Sequence, residues 1–191
     1  GVVGRNGDGK TTLLSLLTGR LEPDSGSIVA ASGASIGFLS QADEFAPEAS
    51  VRDVIVNGEA DHVWAANAVS RGIVEHLLSD ISLDASVSAL SGGERRRVGL
   101  VELMLGGQDL IVLDEPTNHL DVEAVAWLAA HLNDLQATGT AMLIVSHDRW
   151  FLDAVCNRIW EVHDARVDAY DGGYAAYVLA RAERSRQAAA I

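Results

Sequence analysis

Gly4-Arg5-Asn6-Gly7-Asp8-Gly9-Lys10-Thr11 fits the pattern G-x-x-x-x-G-K-[ST], and its residue types define a task. The glycines allow consecutive main-chain N–H groups to curl around phosphate oxygens without side-chain interference. A helix beginning near Lys10 adds the positive end of its dipole. The pattern makes Gly4, Asn6, Gly7 and Gly9 the cradle and sends Lys10 to the β and γ phosphates. It also sets the Thr11 hydroxyl on Mg²⁺ and Thr12 on the α phosphate. Thirteen of the fourteen basic residues are arginine, and Lys10 is the sole lysine. A chain that uses arginine elsewhere has kept a compact ammonium where a point charge must reach phosphate.

Around this loop, short apolar runs alternate with helical patterns. Asp109–Leu113 and Ala141–Val145 are continuous apolar runs, as in parallel strands buried on both faces. Between them Val125, Leu128, Leu132 and Leu135 recur at helical spacing behind Asp121, a good N-cap. A strand–helix–strand unit of this kind predicts an α/β fold with a parallel sheet. From about Phe45 to Leu105 no strand pattern stands out. There Val51–Ile55, Ile73–Leu78 and Val98–Leu105 read as helices, and the stretch is expected to be a helical subdomain inserted into the α/β core.

The 191 residues are 48% apolar and 21% charged, an ordinary globular composition. A single cysteine excludes a disulfide framework and a multi-cysteine zinc site, and a reducing, cytoplasmic setting is expected. No run approaches the roughly 18 apolar residues of a membrane helix. Acids outnumber bases 27 to 14, and the net charge of −13 makes the bulk surface repel nucleic acid and anionic lipid. Three residues before the loop are too few for the strand that should precede it, so the chain is expected to be a fragment that starts inside a domain. At the far end Arg181, Arg184 and Arg186 lie in a polar, helix-forming stretch that reads as an exposed linker helix.

Asp109–Glu115 is an apolar strand ending in two acids. With a phosphate loop upstream, Asp114 is placed to hold Mg²⁺ through water and Glu115 to polarise an attacking water as general base. Leu90-Ser91-Gly92-Gly93-Glu94 has Ser91 and Glu94 in capping-box register, with two glycines leaving main-chain N–H groups open toward an anion. Together these segments resemble the ATP-binding cassette (ABC) family, with Leu90–Glu94 as its signature. Gln41 then matches the Q-loop, Asp121 of Pro116–Asp121 the D-loop, and His147 the switch histidine. The resemblance implies a P-loop NTPase core with a parallel sheet plus the inserted ABC helical subdomain. Residues 1–44 are its first part, with the N-terminal strands missing, and 45–108 the helical subdomain. Residues 109–169 are the second core part, and 170–191 begin an inter-cassette linker. It further implies ATP and Mg²⁺ as cofactors and a site shared between two cassettes. Ser91, Gly92 and Gly93 serve the ATP of the partner cassette, Gln41 senses Mg²⁺ and the γ phosphate, and His147 holds that phosphate and the water.

Three segments are similar to the ABC-F subfamily, soluble two-cassette proteins that act on ribosomes: Glu115–Asp121, Ser146–Asp153 and Tyr170–Tyr177. The last runs into Ala180–Arg184, similar to the start of that family's linker, which implies a first cassette. The partners implied are a second cassette on the same chain and ribosomal RNA reached through the linker arginines, with no DNA and no membrane segment. The alternative is the nucleotide-binding subunit of an ABC membrane transporter. His62, His76, His131 and His163 show no metal-ligand spacing. Cys156 shares a helical pattern with Leu152, Val155 and Ile159 and reads as a buried, inert thiol. Arg95–Arg97 are expected on the surface with acid partners, and the four tryptophans as packing residues.

Overall fold

The computed structural model describes residues 1–39 and 45–189. Strands β1 (Val2–Val3), β2 (Ile36–Leu39), β3 (Leu110–Asp114), β4 (Ala141–Val145), β5 (Arg158–His163) and β6 (Arg166–Asp171) form one sheet in the order β2-β3-β4-β1-β5-β6. All neighbours pair parallel except β5 and β6. The two-residue β1 therefore sits mid-sheet, with Val2 opposite both Val145 and Trp160. The apolar runs become strands because β3 lies between β2 and β4, where its N–H and C=O groups are satisfied on both edges and its side chains on both faces.

Alternation divides those side chains between two cores. Val112 joins Val2, Leu14, Val145 and Val162 on one face, against helix α1 (Lys10–Leu17). Ile111 and Leu113 point to the other face and join Leu128 and Leu132 of helix α6 (Val122–Ala137). That second core continues without a break into helices α2 (Val51–Val56), α4 (Ala68–Leu77) and α5 (Gly92–Leu105), through Val51, Ile73, Leu77, Val98 and Val101. The helical stretch thus shares its hydrophobic core with the sheet.

Helix ends follow their caps more than their apolar period. Helix α4 starts five residues before Ile73 because the Asn67 side-chain Oδ1 accepts from the Val69 and Ser70 N–H groups. Helix α5 starts at Gly92, where Ser91 and Glu94 form the capping box, and Ser50 with Asp53 builds a second box at α2. The short helix α3 (Asp61–Trp64) carries no apolar period and was not legible in the sequence. Nor was the β5–β6 hairpin: Asp164 and Ala165 take φ 46° and 56°, the left-handed pair that a two-residue turn requires, without the glycine that usually marks it. The pattern expected for Cys156 is corrected as well. Helix α7 (Arg149–Val155) ends one residue earlier, Cys156 is its half-buried C-cap, and Ile159 belongs to β5. Trp150 lies 56% exposed, so it is not the packing residue expected, whereas Trp127 packs closely. It stacks between His76 of α4 and His131 of α6, at ring distances of 4.7 and 5.1 Å.

Helix α8 (Tyr174–Ala189) holds the C-terminal stretch and packs back on β6 and α7. No helix among the described residues is long and apolar enough to cross a membrane.

His131 and His163 are shifted in opposite directions. Burial pushes His131 below the ordinary imidazole range, against a weaker pull from Asp134. Hydrogen bonds to Asp168 and Asp164 hold His163 above it. Acidification through the ordinary histidine range, near pH 6.5, therefore costs stability at His131, because the unfolded chain takes up that proton first. The His163 contribution is complete below that range and is lost as pH rises through its raised value. An NMR pH titration should give His131 a midpoint below the ordinary imidazole value and His163 one above it; coincident midpoints would contradict both environments.

Candidate phosphate-binding and hydrolytic site

The phosphate loop leaves the carboxyl end of β1 and turns into α1, so it opens at the edge of the sheet where parallel strands end. Gly4 cannot carry a side chain, since a Cβ there would lie 2.5 Å from the Val162 carbonyl oxygen. Gly7 and Gly9 take φ 91° and 96°, and a Cβ at either would meet nothing within 4 Å. The loop is thus tight on the strand side and open on the other. The first bond inside the helix runs from the Leu13 N–H to the Gly9 carbonyl at 2.8 Å. The N–H groups of Lys10, Thr11 and Thr12 therefore project from the helix start without intrahelical partners. Lys10 folds back across the loop and donates to the Gly4 and Arg5 carbonyls at 2.9 and 3.0 Å. The Arg5 N–H donates to Asp8 at 2.7 Å and closes the turn.

Asp114 ends β3 and Glu115 follows it, 3% and 8% exposed. Burial raises the Asp114 pKa, and the charges of Arg96, Lys10 and His147 act against it. A buried carboxylate facing an ammonium and an open ring of N–H groups is suited to a divalent cation bound with phosphate. The residues present therefore fit a nucleotide with Mg²⁺. Gln41, expected to sense that metal, lies outside the described residues.

Glu115 adopts φ 53°, a left-handed backbone that costs a β-carbon residue about 1–3 kcal/mol. Its N–H donates to the Val145 carbonyl at 2.7 Å. The carboxylate receives the His147 N–H at 3.2 Å, and the His147 Nε2 lies 3.4 Å away. The ends of β3 and β4 thus bring Glu115 and His147 together, with the His147 ring largely in solvent. Lys10, Gly4 and His147 share a cleft of about 900 Å³. Ser91, Gly92 and Gly93 do not line it, and neither do Thr11, Asp114 and Glu115. At Ser91 the Oγ accepts from the Glu94 N–H at 3.3 Å, while Glu94 accepts from the Ser91 N–H at 2.7 Å. Asp121 caps α6 through the Ala124 N–H at 2.8 Å.

Two features escaped the sequence. Of the three consecutive arginines, Arg97 finds Asp80, as expected, and Arg95 donates to the Leu90 carbonyl. Arg96 instead turns inward and donates to the main-chain carbonyls of Asp114 and Glu115. The second feature is Glu161 of β5, opposite Val3 of β1. Its buried carboxylate accepts from Tyr170, Tyr177 and Arg181 at 3.2, 3.0 and 2.9 Å. Burial and this carboxylate push the Tyr177 hydroxyl up to about 12. Arg184 lies over the Tyr170 ring at 4.4 Å and 3.9 Å from Asp168. The basic face expected of α8 is thus partly taken up by the chain's own acids, while Arg186 is exposed.

With this geometry in place, comparison with known proteins is direct. The ABC transporter family model matches residues 1–118. The energy-dependent translational throttle protein EttA of Mycobacterium tuberculosis is 35% identical, over 96% of this chain and 39% of its own length. ABC transporter F family member 5 of Arabidopsis thaliana is 32% identical, over 96% of this chain and 32% of its own. A solved complex of the archaeal ribosomal stalk protein aP1 with the archaeal ribosome recycling factor aABCE1 superposes with a TM-score of 0.71 at 29% identity. It covers 84% of this chain and 31% of that one. The chain therefore spans well under half the length of the curated relatives it matches. By the family match and the phosphate loop, acid pair and capped glycines that it spans, the chain belongs to the ABC transporter family, the ATPases built on the ATP-binding cassette.

Proposed function

We propose that this chain is the first cassette of an ABC-F protein, which binds and hydrolyses Mg·ATP by closing against a second cassette and acts on the ribosome. The observation that carries the hydrolytic part is the Glu115–His147 pair at the strand ends, with His147 sharing a cleft with Lys10. Gly4, Asn6, Gly7, Gly9 and Lys10 bind the β and γ phosphates, and Thr12 the α phosphate. Mg²⁺, held by Thr11 and by Asp114 through water, with Gln41 as the family's further ligand, would neutralise charge developing on the phosphates. Glu115 accepts the proton of the attacking water, and His147 orients that water and the terminal phosphate.

The shared-site reading draws on the family match and on Ser91, Gly92 and Gly93 standing at the capped start of α5. The Ser91 hydroxyl is bonded to Glu94 within the capping box, and on closure it would turn its proton to a phosphate held by the partner cassette. Asp121, fixed as an N-cap, would hold the D-loop at the same junction. The ribosomal part draws on the ABC-F relatives and on EttA, whose name refers to translation. With two linker arginines engaged by Glu161 and Asp168, RNA contact falls to Arg186 and the chain beyond it. A cytoplasmic location follows from that role.

Lys10→Ala should weaken ATP binding about ten- to hundredfold, the loss of a charged hydrogen-bonding partner, measured by titration with a fluorescent ATP analogue. Unchanged affinity would remove the phosphate-loop assignment. Glu115→Gln should cut turnover by about 10²–10⁴ while ATP still binds. In the full-length protein, that substitution and its equivalent in the second cassette should trap an ATP-bound form that sediments with ribosomes only when ATP is present. Recovery with membranes and an integral partner would instead mean a transporter subunit.

A further inference from the structure

We propose that Arg96 is a positioning residue for hydrolysis, its guanidinium bridging the main-chain carbonyls of Asp114 and Glu115 so that the Glu115 carboxylate stays on His147. The inference rests on the reading of Glu115 as general base and adds the device that aims it. Glu115 sits in the left-handed region, at φ 53°, which a residue with a β-carbon keeps only when its neighbours hold it. The Val145 carbonyl holds its N–H at 2.7 Å. On the other side, its carbonyl and that of Asp114 accept from Arg96.

Arg96 can serve this way because its helix is fixed. Val98, Leu100, Val101, Leu103 and Met104 of α5 are buried in the core shared with β3. One turn earlier the same helix touches the segment after Glu115 a second time. A Cβ on Gly93 would lie 3.0 Å from the His119 ring, and His119 is itself left-handed at φ 67°. Helix α5 therefore grips the Asp114–His119 segment at both ends of its strained stretch. Ser91 and Gly93 open the same helix, so a shift of α5 when they engage the partner's phosphate would move the Arg96 guanidinium and, with it, the Glu115 backbone. The half-site this cassette offers its partner is then mechanically joined to its own hydrolytic residue. Both bonds leave one guanidinium nitrogen, Nη2, whose place is fixed by the planar group; the ammonium of lysine, on a flexible stem, would not be held at that point.

The test uses the full-length protein and compares Arg96→Gln, Arg96→Lys, Arg97→Gln and Glu115→Gln in steady-state ATP hydrolysis, with ATP affinity and thermal unfolding measured alongside. Both Arg96 variants should lose about ten- to hundredfold in kcat, the usual cost of misplacing a reacting group, with KM for ATP within about twofold of the parent. Arg97→Gln removes the same charge from the same helix and breaks the Asp80 pair; it should lower the melting temperature and leave kcat intact. Parental kcat in either folded Arg96 variant overturns the proposal, as does an equal loss in Arg97→Gln. If Arg96→Gln does not fold, Arg96→Lys carries the same test. Parental turnover in Glu115→Gln would instead overturn the general-base reading, whatever the Arg96 variants do.

Discussion

Two carboxylates buried side by side at the end of β3 are the most demanding feature of this molecule. Removing an ionised acid from water costs several kcal/mol unless positive groups and hydrogen-bond donors replace the solvent. Lys10, Arg96 and His147 surround Asp114, and the His147 main chain and ring meet Glu115. Each comes from a different place in the fold: the first residue of α1, the second turn of α5, and the segment just past β4. The parallel sheet makes this convergence possible, because parallel strands deliver their carboxyl ends to one edge. The compensation is incomplete, as the raised Asp114 pKa records, and that is the condition under which a bound divalent cation stabilises the site most.

The helical stretch gains its meaning from the same edge. It does not fold on a core of its own; its apolar residues are continuous with the sheet face that carries Ile111 and Leu113. A rigid connection results between the capped glycines at Ser91–Gly93 and the acid pair, through α5 and Arg96. A subdomain with a separate core could rock without disturbing the acids, whereas a shared core transmits displacement because close-packed interiors yield little. The stacked His76–Trp127–His131 rings tie α4 to α6 in the same way, farther from the site.

On the opposite side of β1, Glu161 gathers two tyrosine hydroxyls and Arg181. Helix α8 is thereby fastened to the strand beside the one that leads into the phosphate loop. The ion pair is half-exposed at its Arg181 end, so its energetic worth is modest. The tyrosine hydroxyls, removed from water along with the carboxylate, make the attachment specific instead. The tyrosine spacing near residues 170–177 thus has a plain structural reason as well as a family resemblance.

The sequence by itself determined the parts whose conformation is set within a few residues. Glycines at Gly7 and Gly9 mark a left-handed loop, Ser91 with Glu94 marks a helix start, Asp121 marks another, and the runs ending at Asp114 and Val145 mark strands buried on both faces. Those local rules also gave the order of the site's elements along the chain. Only the tertiary structure decided which long side chain goes where. Arg95, Arg96 and Arg97 are adjacent and chemically identical, yet one caps a nearby carbonyl, one pairs with Asp80 and one holds the acid pair. Their helical positions differ by about 100° each, and their partners are set by whatever the fold has packed opposite. Glu161, one acid in an edge hairpin, acquires its role the same way, from tyrosines and an arginine brought back by α8. A residue's backbone preference is a property of its neighbours in sequence, while the partner of a charged side chain is a property of neighbours in space.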